Sequence, residues 1–207
     1  MQIIGIEGNI GSGKSSFLAY VKSKYPHIIF LREPVTDWMN IKDDNDITIL
    51  ENFYTDQHKY AFEFQILAFQ TRTQIMLNAI KANPSAIIIT ERSLCTDNYV
   101  FAKMMHDEGN ITTMQYQIYK NMYDYYIERC KPTTILYIDT EPKICAERIV
   151  KRNREGETIQ LEYLQNCDKY HKVMLKSEQI KTIIINGNIE YGPKLFEYWD
   201  EILDDLK

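Results

Sequence analysis

The sequence predicts an α/β fold: a five-stranded parallel sheet flanked by helices. Two observations predict it. Five short apolar runs rich in β-branched residues recur along the chain, and longer segments with helical spacing lie between them. Strands that alternate with helices need crossover connections, so the sheet is expected to be parallel and covered on both faces.

The strand runs are Ile3–Ile6, Ile28–Leu31, Ala86–Thr90, Thr134–Ile138 and Thr182–Ile185, each too short for a helix. Helical spacing links Phe53, Tyr60, Phe64, Leu67, Ala68 and Ile75, then Ile144 and Ile149, then Leu161, Leu164 and Val173. Long helices are expected over about 51–82 and 111–130. Breaks fall at Pro26, Asn83-Pro84, Gly109-Asn110, Lys131-Pro132 and Asn186-Gly187. None opens into a Gly/Ser/Pro-rich linker, so residues 1–207 are expected to form one domain.

At 207 residues and 44% hydrophobic content, the chain can bury a core without metal or disulfide staples. Its net charge of -5 gives no general attraction to phosphate backbones or anionic lipid. Nucleic-acid binding is therefore not expected, and any nucleotide site has to be positive locally. Cys95, Cys130, Cys145 and Cys167 form no C-x-x-C pair, which points to free thiols in a reducing compartment. No apolar run approaches the ~18 residues of a membrane span. The first basic residue is Lys14, so no charged leader head is expected and the cytosol is the expected location.

The first strand runs into Gly8-Asn9-Ile10-Gly11-Ser12-Gly13-Lys14-Ser15, followed by Ser16. The pattern G-x-x-x-x-G-K-[ST] between strand and helix is a phosphate-binding loop. Glycines let backbone N–H groups turn toward a phosphate, and the helix adds its positive N-terminus. Lys14 would reach the terminal phosphates and Ser15 would offer a hydroxyl to magnesium, so ATP with Mg²⁺ is the expected cofactor. The chain has no N-K-x-D guanine reader, which argues against a GTPase switch. Asp139, after the fourth strand, fits either a second metal acid or, with Thr140, a cap for the helix starting near Pro142; the cap is the favoured reading.

Four further stretches carry chemistry. Glu33-Pro34-Val35-Thr36-Asp37-Trp38 follows the second strand, where a carboxylate points into the crevice of a parallel sheet. Glu91-Arg92-Ser93 follows the third strand at the same rim. Phe64-Gln65 lies on a helix with Arg72 two turns along the same face, and Gln65 has both a donor and an acceptor for a base edge. Arg148-Ile149-Val150-Lys151-Arg152-Asn153-Arg154 sets four basic residues within seven, with no acid between them.

With the phosphate loop, these stretches make the chain resemble the deoxynucleoside kinases, close to the deoxycytidine and deoxyguanosine kinase type, over nearly its whole length. The resemblance implies a P-loop kinase fold with an arginine-rich lid at about 148–158, phosphorylation of a deoxynucleoside 5′-hydroxyl, a place in nucleotide salvage and a homodimer. By the same resemblance Glu33 is the general base, Arg92 holds that carboxylate and the transferring phosphoryl group, and Glu91 serves the magnesium. Gln65 reads the base, Arg72 and Asp97 form a charge pair at the far end of its pocket, and Phe101 stacks on it. Trp38 and Phe53 line the cavity, and Tyr54 meets the sugar 3′-hydroxyl while crowding a 2′-hydroxyl. Arg148, Arg152 and Arg154 close over ATP, and Asn188 touches adenine. A glutamate beyond the lid bonds the 3′-hydroxyl; Glu157 is the better candidate, with Glu155 behind it. The long helices over about 51–82 and 111–130 would form the dimer contact.

Two alternatives stay open. A nucleoside monophosphate kinase of the thymidylate type shares the loop and lid, although its acceptor phosphate needs extra basic residues where Glu33 stands. A regulatory protein that holds ATP without turning it over would need none of the base, arginine and lid together.

Overall fold

A computed structural model describes residues 1–154, 157–177 and 179–204. The expected strands are present as β1 (Gln2–Gly8), β2 (Ile29–Leu31), β3 (Ile87–Glu91), β4 (Thr134–Asp139) and β5 (Lys181–Asn186). All pair in parallel in the order β2-β3-β1-β4-β5. The helices are α1 (Lys14–Lys24), α2 (Val35–Met39), α3 (Ile49–Thr55), α4 (Gln57–Ala82), α5 (Leu94–Thr96), α6 (Lys103–Asp107), α7 (Thr113–Cys130), α8 (Pro142–Arg152), α9 (Leu161–Ser177) and α10 (Pro193–Asp204). A π-helical turn over Asp97–Ala102 joins α5 to α6.

Successive residues of β1 feed opposite faces of the sheet. Ile4 and Ile6 join Phe17, Leu18 and Val21 of α1 and Trp199 of α10 in one core. Ile3 joins Ile88, Phe69, Met76, Tyr119 and Tyr123 in another, under α4 and α7. Burial of Phe17, Leu18 and Val21, worth about 1.5–3 kcal/mol each, anchors α1 directly behind the glycine loop. A third core of Trp38, Phe53, Phe64, Ala68, Met104 and Met174 lies under α2, α3, α4 and α9.

β1 has β3 on one side and β4 on the other. The strand order therefore reverses beside β1, where α/β sheets open a crevice at the C-terminal strand ends. The glycine loop, Glu33, Glu91-Arg92 and Thr140 all lie at that rim.

Two expectations are corrected. The helix expected over about 51–82 is two helices, because Asp56 leaves helical geometry (φ -143°) and its carboxylate accepts the Lys59 N–H at 3.1 Å, capping α4. Neither Asp139 nor Thr140 caps α8, whose N-cap is Glu141. Thr140 Oγ1 instead donates to the Ser12 carbonyl at 3.1 Å, and Asn188 Oδ1 accepts the Glu141 N–H at 2.9 Å. α8 has no side-chain cap bond, and the contact at its start comes from the loop after β5, beyond the reach of local sequence.

Candidate active site

The cleft at the strand ends has a volume of about 850 Å³. Every site residue expected from sequence lines it except Gly8, Asn9 and Glu155. Glu155 lies outside the described residues. Gly8 and Asn9 sit behind the loop: the Gly8 carbonyl accepts from Arg92 Nη1 at 3.0 Å, and Asn9 Nδ2 ties the loop to α9 through the Leu164 carbonyl at 2.8 Å.

The loop itself turns on positive φ angles. Gly11 has φ 79°, and a Cβ there would stand 2.6 Å from the Cys145 carbonyl oxygen. Gly13, at φ 102°, is the N-cap of α1 and leaves that helix's first N–H groups facing the cleft. Ile10, Ser12, Ser15 and Ser16 complete the cradle. Lys14 Nζ donates to the Asn9 carbonyl at 2.7 Å, folded over its own loop. Burial, reinforced by Arg92, lowers the Lys14 ammonium to about 8.

Beside the loop, Ser15 Oγ donates to Glu91 Oε1 at 2.6 Å. These two oxygens face the cleft from α1 and β3. The described residues contain no cluster of three or more His, Cys, Asp or Glu suited to a metal. One hydroxyl and one carboxylate suit magnesium, which keeps several waters and takes the rest of its shell from phosphate.

Glu33 stands between two guanidinium groups, with Arg92 Nε at 3.2 Å and Arg72 Nη2 at 3.1 Å from its Oε1. Burial pushes its carboxyl up, but Arg92, Arg72 and Lys14 outweigh that and bring it to about 2. Arg92 adopts φ 63°, a region that non-glycine residues rarely enter. The strained turn is fixed by the Arg92 N–H on the Ile6 carbonyl at 3.0 Å and by Thr90 Oγ1 on the Arg92 carbonyl at 2.9 Å.

Arg72 also donates from Nε to Asp97 Oδ2 at 2.8 Å and from Nη1 to the Glu91 carbonyl at 3.1 Å. The expected Arg72–Asp97 pair is thus formed, and it reaches further than expected, to Glu33. Burial pushes the Asp97 carboxyl up while Arg72 opposes it. The π turn places both Asp97 and Phe101 in the cleft, and the Arg92 guanidinium lies 4.8 Å from the Phe101 ring centre. Gln65 and Ala68 face the same space from α4, with no hydrogen-bond partner for the Gln65 amide among the described residues.

Trp38 and Phe53 pack against Phe64, with ring centres 5.3 and 4.7 Å away. Tyr54 meets Tyr163 edge-on at 6.5 Å. Tyr163 is a cleft residue that the helical spacing of Leu161 and Leu164 did not single out. Glu157 sits beside them, half-buried with its carboxylate covered, with Arg152 Nη2 on one oxygen and Arg154 Nη1 3.6 Å from the other. Arg148 bridges the Ser12 carbonyl (3.2 Å) and the Ile189 carbonyl (3.1 Å). Glu190 and Tyr191 also line this end; the Asn186-Gly187 turn marked their loop without singling them out.

A family model described as deoxynucleoside kinase matches residues 4–200. The chain is 32% identical over 196 residues to a protein named probable deoxycytidine kinase from Fowlpox virus (strain NVSL), covering 91% of this chain and 80% of that one. It is 29% identical over 199 residues to deoxycytidine kinase 2 of Gallus gallus, covering 86% and 75%. It is 27% identical over 191 residues to the mitochondrial deoxyguanosine kinase of Xenopus laevis, covering 83% and 72%.

Proposed function

The chain belongs to the deoxynucleoside kinase family, and we propose that it transfers the terminal phosphoryl group of ATP to the 5′-hydroxyl of 2′-deoxynucleosides, favouring deoxycytidine and the purines over thymidine. The observation that carries this reading is Glu33, an ionised carboxylate held between Arg72 and Arg92 opposite Lys14 of the phosphate loop.

Phosphoryl transfer asks the protein mainly for positioning and for charge stabilisation. Glu33 orients the 5′-hydroxyl and accepts its proton as the bond to phosphorus forms. Arg92 and Lys14 neutralise charge on the moving phosphoryl group. Ser15 and Glu91 would hold the magnesium, which supplies charge neutralisation at the phosphates. Arg152 and Arg154 leave Glu157 for the phosphates, and Glu157 with Tyr54 takes the sugar 3′-hydroxyl. Arg148 and Asn188 face the donor base. Trp38, Phe53, Gln65 and Phe101 surround the acceptor base, with the Arg72–Asp97 pair at its edge.

The whole chain would act as one kinase domain in nucleotide salvage, in the cytosol. No helix among the described residues is long and apolar enough to cross a membrane. A homodimer through α4 and α7 is supported by the exposure of Met114, Ile118 and Tyr125 on α7. ADP release and 5′-monophosphate formation with a deoxynucleoside panel test the reading. Activity on deoxynucleoside monophosphates alone would favour the monophosphate kinase alternative.

A further inference from the structure

Glu7 is fully buried on β1, between the isoleucines of the core and the glycine loop. It does not line the cleft, so the mechanism above gives it no role. Burying a carboxyl is costly unless its oxygens find donors. Thr96 Oγ1 donates to Glu7 Oε2, and it also lies 3.7 Å from Met174 Sδ on α9. The other oxygen, Oε1, and the hydroxyl of Ser93 are both buried without partners among the described residues. Both side chains lie against Gly5: a Cβ there would stand 3.4 Å from Glu7 Oε1 and 3.7 Å from Ser93 Cβ. Ser93 is the N-cap of α5 yet makes no side-chain cap bond there.

The neighbours of Glu7 complete a pattern. The Ile6 carbonyl accepts the Arg92 N–H, and the Gly8 carbonyl accepts Arg92 Nη1, each at 3.0 Å. Three successive residues of β1 therefore hold three points of the segment from Arg92 to Thr96. That segment begins at the strained Arg92, and Asp97 follows it directly. Asp97 holds Arg72, and Arg72 holds Glu33. An apolar residue at position 7 could fill the space, but it could not fix the Thr96 hydroxyl. Resting on the kinase reading above, we propose that Glu7 is a positioning residue: its carboxyl fixes the turn from Arg92 to Thr96, and through it Asp97, Arg72 and Glu33, without touching either substrate. Burial pushes the carboxyl upward while the nearby hydroxyls of Ser93 and Thr96 pull it down, as expected of a group used for its hydrogen bonds.

The test is steady-state kinetics on Thr96→Val, Thr96→Ser, Glu7→Leu and the Thr96→Val/Glu7→Leu double variant, with rates normalised to folded enzyme. A loosened turn misplaces Arg92 and Glu33, and a misplacement of about 1 Å costs roughly 10–100-fold in rate. Thr96→Val and Glu7→Leu should each lower kcat by that order and leave KM for ATP within about threefold, because Lys14 and the helix N-terminus behind the loop keep their own anchors. Thr96→Ser should restore kcat to within about threefold of wild type, and the double variant should be no slower than the slower single one, as expected for groups acting as a unit. Thr96→Val is close to isosteric, so it and Thr96→Ser carry the test if Glu7→Leu does not fold. Single variants within about twofold of wild type, or losses that multiply in the double variant, overturn the role of Glu7 alone. A wild-type chain inactive on every deoxynucleoside overturns the kinase reading, and this role with it.

Discussion

Arg72 donates to Glu33 Oε1 at 3.1 Å with the same guanidinium that holds Asp97 at 2.8 Å. On the roles proposed above, the group at the edge of the base pocket would also orient the carboxylate that accepts the proton, so base choice and rate would be coupled through one side chain.

This coupling sharpens the expectation for base preference. Cytosine and adenine present an exocyclic amine that an Asp97 carboxylate can accept from while Gln65 bonds the adjoining ring nitrogen. Thymine presents a carbonyl there, and two facing acceptors cost about 1–3 kcal/mol, roughly 10–200-fold in kcat/KM. Guanine also presents a carbonyl, so deoxyguanosine should rank below the amine-bearing bases. Arg72→Met with Asp97→Ala avoids stranding one charge. It should raise the ratio of thymidine to deoxycytidine turnover while lowering kcat for both, because Glu33 loses a partner. An unchanged ratio on competing substrates would contradict the pocket assignment.

Glu33→Gln should keep ATP and nucleoside binding and lower kcat by roughly 10²–10⁴, the usual weight of a general base. With its carboxyl at about 2, Glu33 is ionised in the free enzyme, so kcat/KM should show no limb from it down to about pH 5. Its lowered value contributes stability that is fully present above 4.5 and is lost as the pH falls toward about 2. Urea unfolding from about pH 6 to pH 3 should therefore weaken wild type more steeply than Glu33→Gln.

Lys14 carries the opposite signature. Burial lowers it to about 8 from 10.5, so kcat/KM for ATP should fall as pH rises through about 8 and the loop loses its charge. The folded chain binds fewer protons there than the unfolded one, so stability gains over the same window as ATP binding declines. Lys14→Ala should bind ATP weakly at every pH and lose this limb, while binding of deoxynucleoside alone survives. Calorimetry showing unchanged ATP affinity in the variant would remove the phosphate-loop argument.

Ile118→Glu on α7 places a charge on the face that also exposes Met114 and Tyr125. Light scattering should show a dimer for wild type and a monomer for the variant. A wild-type monomer would contradict the dimer proposal.

The strands and the phosphate loop were legible because each is local: a β-branched run, or a motif whose spacing dictates its turn. The helix break at Asp56 was written in the Thr55-Asp56 step, where an acid precedes the first turn of α4, yet helical spacing on both sides hid it. The positions of Glu33, Arg92 and Glu91 at the rim of the cleft were readable from the strand ends. The contact between Arg72 and Glu33 spans 39 residues and depends on where α4 crosses the sheet, which no local pattern encodes. The positive φ of Arg92 is likewise set by long-range bonds to Ile6 and Gly8. Glu7 was invisible because a single polar residue in an apolar strand has no periodicity of its own.

Glu33 is proposed to receive the proton of a deoxynucleoside 5′-hydroxyl while the phosphate loop holds ATP. The most direct measurement is ADP release by wild type and Glu33→Gln with deoxycytidine, deoxyadenosine, deoxyguanosine, thymidine and deoxycytidine monophosphate as acceptors. Wild type should turn over deoxycytidine and deoxyadenosine, with thymidine roughly 10–200-fold poorer, and Glu33→Gln should lose roughly 10²–10⁴ in kcat. Turnover of the monophosphate alone, or a Glu33→Gln enzyme within a few-fold of wild type, would contradict this proposal.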